Sequence, residues 1–389
     1  MFKNVLITGG AGFIGQALTR KLLKRGYNLT ILDNLDPQVH GINAQYNPQL
    51  SQDVHFINGD ILNDIDIERA LEGQDFLIHL AAHTATAQSM YKISNDMRVN
   101  VLGAAKIMEY LIYHSHNIKK VIFASSRAVY GEGAYRCNKC GFVHPPKRSA
   151  LHMEKGEFEQ FCPYCNTKLI PIPTKESCEL NPLSIYGSSK VATEQLITIS
   201  AQALGIPYTI LRYQNVYGQG QSLSNPYTGI LSVFASRILN NKPIYIFEDG
   251  KESRDFVHVD DAAYATMQAM ENRKTDNKIY NIGTGIATTV LDVAQLLLKK
   301  ININNKYIIN GNFRVGDIRH NFADISKAQQ DFNFSPQIDI NLGIEMFIDW
   351  LKTQKIPYDS FERSLRELEG LNMLGGTSYD VTKDRTMST

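Results

Sequence analysis

The segment Val5-Leu-Ile-Thr-Gly-Gly-Ala-Gly-Phe-Ile-Gly15 constrains this chain more than any other. An apolar, β-branched run leads into Gly9, Gly10, Gly12 and Gly15, and Gln16-Ala-Leu-Thr-Arg-Lys-Leu-Leu23 follows with helical spacing. The pattern predicts a strand, a tight turn and a helix start. A side chain at Gly9 or Gly12 would keep the backbone from approaching a pyrophosphate, and Gly15 lets the helix pack close on the strand. The free N–H groups of the helix start then favour phosphate. Asp33 ends the next predicted strand, Asn28-Leu-Thr-Ile-Leu-Asp33, eighteen residues after Gly15. A carboxylate there takes both ribose hydroxyls and repels a 2′-phosphate, so the expected cofactor is NAD rather than NADP.

Composition narrows the remaining classes. The chain has 389 residues, 43% hydrophobic and 20% charged, with a net charge of +1. That length allows a large core and more than one domain. Near-neutral charge points away from nucleic acid and from anionic membrane surfaces. No apolar run approaches the ~20 residues of a membrane span. Met1-Phe-Lys-Asn runs straight into the first predicted strand and leaves no room for a signal peptide, so a cytoplasmic location is expected. Five cysteines in so long a chain do not form a disulfide scaffold.

Strand and helix patterns alternate through the first half. Val54–Asp60, Asp75–Ala82 and Lys119–Ser126 read as strands with helical stretches between them. This predicts an α/β fold, a Rossmann doubly wound parallel sheet, with ligands at the carboxyl ends of the strands near Gly9, Asp33, Asp60, Ala81 and Ser126. Residues 1–210 are expected to form the NAD-binding domain, with a zinc-ribbon-like insertion at 132–176. Residues 211–352 are expected to form a smaller, mainly substrate-binding domain, part of which (Tyr280–Gly283) returns to the sheet or its edge. Residues 353–389 form an extension whose polar tail is expected to be disordered from about Gly370. Val99–Tyr113 and Ser188–Leu204 are apolar around most of their circumference, which suggests a homodimer joined through a four-helix bundle.

Three constellations carry chemistry. Tyr-x-x-x-Lys occurs four times, at Tyr135/Lys139, Tyr164/Lys168, Tyr186/Lys190 and Tyr379/Lys383. Only Tyr186 opens a long helical run, and residues four apart share a helix face. A lysine ammonium beside the phenol, together with an oxidised nicotinamide ring, would lower a tyrosine pKa of about 10 toward neutrality. Ser126 ends a strand, where its hydroxyl can meet a reacting oxygen. Cys137-x-x-Cys140 and Cys162-x-x-Cys165, with 21 residues between the pairs, have the spacing of a closed, structural four-thiolate zinc site.

Taken in order, Thr8–Gly15, Asp33, Asp60, His79-Leu-Ala-Ala82, Asn100, Ser126, Tyr186, Lys190, Arg212-Tyr-Gln-Asn215 and Ser253-Arg-Asp-Phe-Val-His258 resemble the NAD-dependent nucleotide-sugar epimerase and dehydratase family of extended short-chain dehydrogenases/reductases. The resemblance implies Tyr186 as base, Lys190 as its tuner and ribose ligand, and Ser126 as orienter of the sugar hydroxyl. On those motifs the cofactor contacts are Gly9, Gly12, Phe13, Ile14, Asp33, Asn34, Asp60, Ile61, Leu80, Ala81, Ala82, Asn100, Ser125, Tyr186, Lys190 and Gln214. The substrate, a nucleotide-diphosphate sugar, would meet Ser126, Arg127, Asn215, Arg254, Arg314 and Asp317, with the arginines on the diphosphate. Sugar 4,6-dehydratases of the family carry an Asp-Glu pair where this chain has Arg127-Ala128, so the groups that remove water are missing and 4-epimerisation is favoured. Ser125–Gly131, the cysteine insert, Asp36–Gly41 and Ser224–Gly229 together resemble a subgroup acting on dTDP-6-deoxyhexoses such as dTDP-L-rhamnose.

Overall fold

A computed structural model describes residues 3–376 apart from 43, 48, 49, 51, 228, 302–305 and 356–358. Its centre is built from β1 (Asn4–Thr8), α1 (Phe13–Lys24), β2 (Asn28–Asp33), β3 (Val54–Asn58), α2 (Asp64–Leu71), β4 (Phe76–His79), α3 (Gly103–Tyr113), β5 (Lys120–Ser126), α4 (Ile185–Leu204), β6 (Tyr208–Tyr213), α5 (Val259–Glu271) and β7 (Lys278–Ile282). The strands form one seven-stranded sheet in the order β7-β6-β5-β4-β1-β2-β3. Every neighbouring pair is parallel, as in Ile7↔Ile31 and Ile7↔Ile78. The strand returning after α5 lies at the sheet's edge beside β6.

Alternation along the strands explains why both faces are covered. Val5, Ile7, Ile31, Ile78 and Ile122 point into the core with α1 and α5, whereas Leu6, Leu32, Leu77, Val121 and Phe123 point into the core with α2, α3 and α4. Strands buried on both faces require near-continuous apolar runs, which these sequences supply. The chain reverses direction across the sheet between β1 and β4, and the crevice at their carboxyl ends is where such sheets take ligands.

A third core lies beyond the sheet, where Phe234, Ile244, Ile246, Val293, Leu297, Ile344 and Phe347 meet. Residues 134–172 form a small antiparallel sheet of Ala134–Cys137, Gly141–Val143 and Ile170–Ile172 around Tyr135, Cys137, Val143, Cys162 and Leu169.

Two sequence expectations need correction. The helix expected over Val99–Tyr113 begins with a wider π-helical stretch, Met97–Leu102, before α3. The polar tail is not disordered directly after Gly370. A helix spans Phe361–Gly370, and Leu374 and Gly375 then pair with Arg314 and Phe313. That helix buries Phe361, Leu365 and Leu368, an amphipathic stripe that its many charged residues conceal. The remainder of the tail expectation, residues 377–389, lies outside the described residues.

Ile122 is fully buried in the central strand β5. Ile122→Ala is expected to lower unfolding free energy by about 2–5 kcal/mol in chemical denaturation, from lost transfer energy and the cavity left behind.

Candidate active site

The crevice at the ends of β1, β2 and β4 contains a cavity of about 210 Å3 lined by Gly9, Asp33, Asn34, Asp60, Ile61, Leu80, Ala81 and Ala82. Asp33 is held there by two backbone donors, Ala11 N at 3.0 Å and Leu35 N at 2.9 Å. Burial pushes its carboxyl up, and the Leu35 N–H and His40 oppose that shift. Asp60 does not cap the following helix, since Asn63 takes that role. Its carboxylate instead accepts from Asn34 Nδ2 at 3.2 Å on the cavity wall. Gly9 is demanded twice: it has φ +70°, and a Cβ there would lie 2.6 Å from Ala81 N. Near Gly12 a Cβ would meet only Gly9 O, at 3.2 Å, which leaves the approach to the turn open. Phe13 and Ile14 start α1 and pack against its core rather than lining the cavity.

The strand alternation that makes the core also separates Ser125 from Ser126. Ser125 is buried and its hydroxyl donates to Glu194, so the expected cofactor contact is spent inside the protein. Glu194 forms a bidentate pair with Arg212, at 2.9 and 2.7 Å, which fastens α4 to β6. Ser126 instead meets the Tyr186 phenol with its hydroxyl, and its Oγ accepts from Ala128 N at 3.2 Å. The Asn100 amide is similarly occupied, donating to His83 O at 3.0 Å and Ser189 Oγ at 2.9 Å. It braces α4 and lines neither described cavity. Gln214 is the opposite case: both polar atoms of its buried amide lack a hydrogen-bond partner. An orphaned amide, an open glycine turn and a ribose-facing carboxylate together fit a dinucleotide.

Tyr186 and Lys190 stand on the first turns of α4, whose start is capped by Ser184 Oγ accepting from Gly187 N at 3.1 Å. Lys190 Nζ donates to Ala124 O at 2.9 Å and lies 5.0 Å from the Phe123 ring centre and 5.9 Å from that of Tyr186. Burial lowers its pKa to about 8 despite Glu194 and Asp96. Burial also raises the Tyr186 pKa, and the Ser126 hydroxyl and the Arg127 guanidinium pull it back. Arg127 is thus a second cation near the phenol, in addition to Lys190 on the phenol's own helix.

A second cavity, of about 220 Å3, adjoins the first along the loop of residues 84–87 and at Asn225–Pro226. Arg127, Asn215, Arg254, Arg314 and Asp317 line it, whereas Ser126, the sixth residue expected to meet the substrate, does not. Arg127 Nε donates to Asn215 Oδ1 at 2.6 Å. Burial and the neighbouring Arg254 lower the Arg127 pKa to about 9, with Asp317 and Tyr186 opposing. Arg254 is not the free diphosphate clamp that its motif suggests. Its Nη1 donates to Ser253 O and Arg319 O, both at 2.9 Å, and its Nη2 to Asp317 Oδ1 at 2.9 Å and Ile318 O at 2.7 Å. It ties two segments together and contributes charge. Arg314, stacked 4.5 Å over Phe247 with a buried Nε that has no partner, is better disposed toward an anion. Burial raises the Asp317 carboxyl, but Arg254 and Arg314 outweigh it and hold it below its usual range.

Sequence reasoning missed Glu248, Glu252, Phe247, Tyr227 and the C-terminal residues Phe361, Ser364 and Leu368, which also line this cavity. The only available signal was the spacing of the last three on one helix face. The Sγ atoms of Cys137, Cys140, Cys162 and Cys165 lie within 4.8 Å of one another, a spread that fits tetrahedral thiolate coordination. Cys178 stands apart as a free thiol.

Fold and site define a dinucleotide-binding enzyme of the short-chain dehydrogenase type, and comparison with known proteins places it: the chain belongs to the NAD dependent epimerase/dehydratase family, whose model matches residues 5–283. A dTDP-L-rhamnose 4-epimerase of Burkholderia thailandensis is 34% identical over 90% of this chain and 95% of the relative. A putative UDP-glucose 4-epimerase of Methanocaldococcus jannaschii is 33% identical over 90% and 98%. Among solved structures, UDP-glucuronic acid 4-epimerase from Bacillus cereus, in complex with UDP-glucuronic acid and NAD, superposes with a TM-score of 0.73 at 27% identity, covering 90% of this chain and 99% of that one.

Lys190 supplies a test of the site's electrostatics. Between pH 8 and 10.5 the folded lysine has lost its proton while the unfolded one keeps it, so unfolding free energy should rise with pH across that window. The Lys190 share of the rise is expected to be about 3 kcal/mol, and Lys190→Met should remove that share in denaturant titrations at stepped pH.

Proposed function

We propose that this protein is an NAD-dependent nucleotide-sugar 4-epimerase acting through a transient 4-keto sugar, with a dTDP-6-deoxyhexose such as dTDP-L-rhamnose as substrate. The carrying observation is the grouping of the Tyr186 phenol with the Ser126 hydroxyl and the Arg127 guanidinium, the last of which lines the Arg314 cavity. The dTDP-L-rhamnose 4-epimerase relative supports the choice of sugar.

Bound NAD would supply a hydride acceptor that also returns the hydride, and Gly9, Asp33, Asp60, Lys190 and the Gln214 amide are the residues proposed to hold it. Tyr186 takes the proton of the C4 hydroxyl and later gives it back. Ser126 hydrogen-bonds the same oxygen. Arg127 keeps the phenol from drifting further up in pKa. Arg314 holds the diphosphate by its guanidinium face and fork, which leaves the sugar itself loosely held and able to offer either face. Arg127-Ala128 place no carboxylate where removal of water would need acid and base, which supports epimerisation over dehydration.

The cysteine quartet is proposed as a closed structural zinc site. The exposed Leu102, at the end of the π-helical stretch before α3, and Ile112, Tyr113 and Ile199 on the adjacent helices α3 and α4 support a homodimer through a four-helix bundle. Metal analysis of the purified protein is expected to give about one zinc per chain, lost in Cys137→Ser.

Tyr186→Phe is expected to lower kcat by about 10²–10⁴-fold with dTDP binding retained. NMR of the reaction on dTDP-L-rhamnose, UDP-glucose and UDP-glucuronate reads C4 inversion directly. Full turnover in the variant would remove Tyr186 as the base.

A further inference from the structure

The Arg314 cavity has one wall that the proposed catalytic groups do not explain. Glu248, buried and in the left-handed backbone region at φ +50°, lines it. A non-glycine residue held there needs surroundings that enforce it. The Glu248 backbone N–H donates to Asn312 O at 2.7 Å, and its side chain is held from the cysteine-bearing insert. Arg148 forks the Glu248 carboxylate, Nη1 to Oε2 at 2.8 Å and Nη2 to Oε1 at 2.7 Å. The same guanidinium donates to Phe158 O and to Asp317 O, both at 3.2 Å. Arg319 completes the link: its Nη1 donates to Glu248 Oε2 at 2.9 Å, and its Nε and Nη2 reach Glu159 of the insert at 3.1 and 2.6 Å. Phe313, next to Arg314, packs on Met153 and Phe158 of the insert.

We propose that the insert sets the affinity of this cavity for a nucleoside diphosphate, with Arg148 as the positioning residue that fixes both Glu248 and the Phe313–Arg319 segment carrying Arg314 and Asp317. The proposal rests on the substrate reading of the cavity given above. Arg148 touches none of the reacting groups. It acts by holding Arg314 and Asp317 where the diphosphate and ribose are bound, while the Asp33 cavity has no part of this network. Binding of the nucleoside diphosphate and binding of NAD should therefore respond differently to its loss.

The experiment compares wild type with Arg148→Met, Arg148→Lys and the pair Arg148→Met/Glu248→Met. Each is titrated with dTDP and with UDP, assayed for KM and kcat, and analysed for bound NAD. In Arg148→Met, diphosphate affinity should fall about ten-fold and KM should rise in step, with kcat within about two-fold and NAD content unchanged. The paired variant removes the Glu248 carboxylate that the single one strips of its fork, and Glu132, 3.4 Å from Arg148 Nε, still accepts from Arg319 N, so it should fold even where the single one does not. It should show the same weakened affinity, because Asp317 O still lacks its donor. Arg148→Lys keeps the charge but loses the fork, and should fall between; where neither Met variant folds, it decides the matter. Wild-type affinity in the folded variants overturns the proposal, as does a parallel fall of diphosphate affinity, kcat and NAD content. A wild-type protein that binds neither dTDP nor UDP sinks the substrate reading of the cavity instead.

Discussion

A phenol, an ammonium and a guanidinium share one water-poor space at the carboxyl edge of the sheet, and desolvation works against the charged form of each. Tyr186 rises, Lys190 falls to about 8 and Arg127 falls to about 9. Each is then partly restored by specific neighbours, Ser126 and Arg127 for the tyrosine, Glu194 and Asp96 for the lysine, Asp317 for the arginine. A charged ligand entering such a space shifts the balance of the phenol and the ammonium, while the guanidinium stays charged. The fold's task is to keep that space dry and its three occupants in register.

The fold does so with pieces that lie far apart in the chain. The Glu194–Arg212 fork fastens the helix bearing Tyr186 and Lys190 to β6, and Ser125 caps that fork from β5. Asn100 braces the same helix from α3's approach. On the far side, Arg254 binds four protein oxygens and holds the Asp317 segment against the cavity. A buried guanidinium so fully satisfied is structural in its hydrogen bonds and functional in its field.

What the sequence revealed, and what it hid, follows from range. The glycine turn, Asp33 and the Tyr186–Lys190 spacing are local signals, and their positions at the strand ends and on α4 could be read directly. The cysteine pairs are local signals as well, and the structure gathers their four Sγ atoms in one place. Ser126 was chosen over Ser125 at the reacting oxygen, but that Ser125 turns inward to Glu194 could not be read without knowing which face of β5 is outward. Arg254 matched its motif, yet its donors are consumed by carbonyls about 65 residues away, beyond any spacing rule. Glu248 and Arg148 meet across 100 residues and belong to no motif, so nothing in the string joined them. The ordered end of the chain was concealed by charge, since the helix Phe361–Gly370 hides a narrow apolar stripe among acids and arginines.

The central claim is that Tyr186 moves only the proton of a hydroxyl, and that the hydrogen on C4 leaves and returns without meeting solvent. Running the reaction in D2O and reading the product by NMR tests it directly. The account predicts inverted configuration at C4 with protium retained on every ring carbon. Deuterium on a ring carbon, or a product that has lost water, would contradict it.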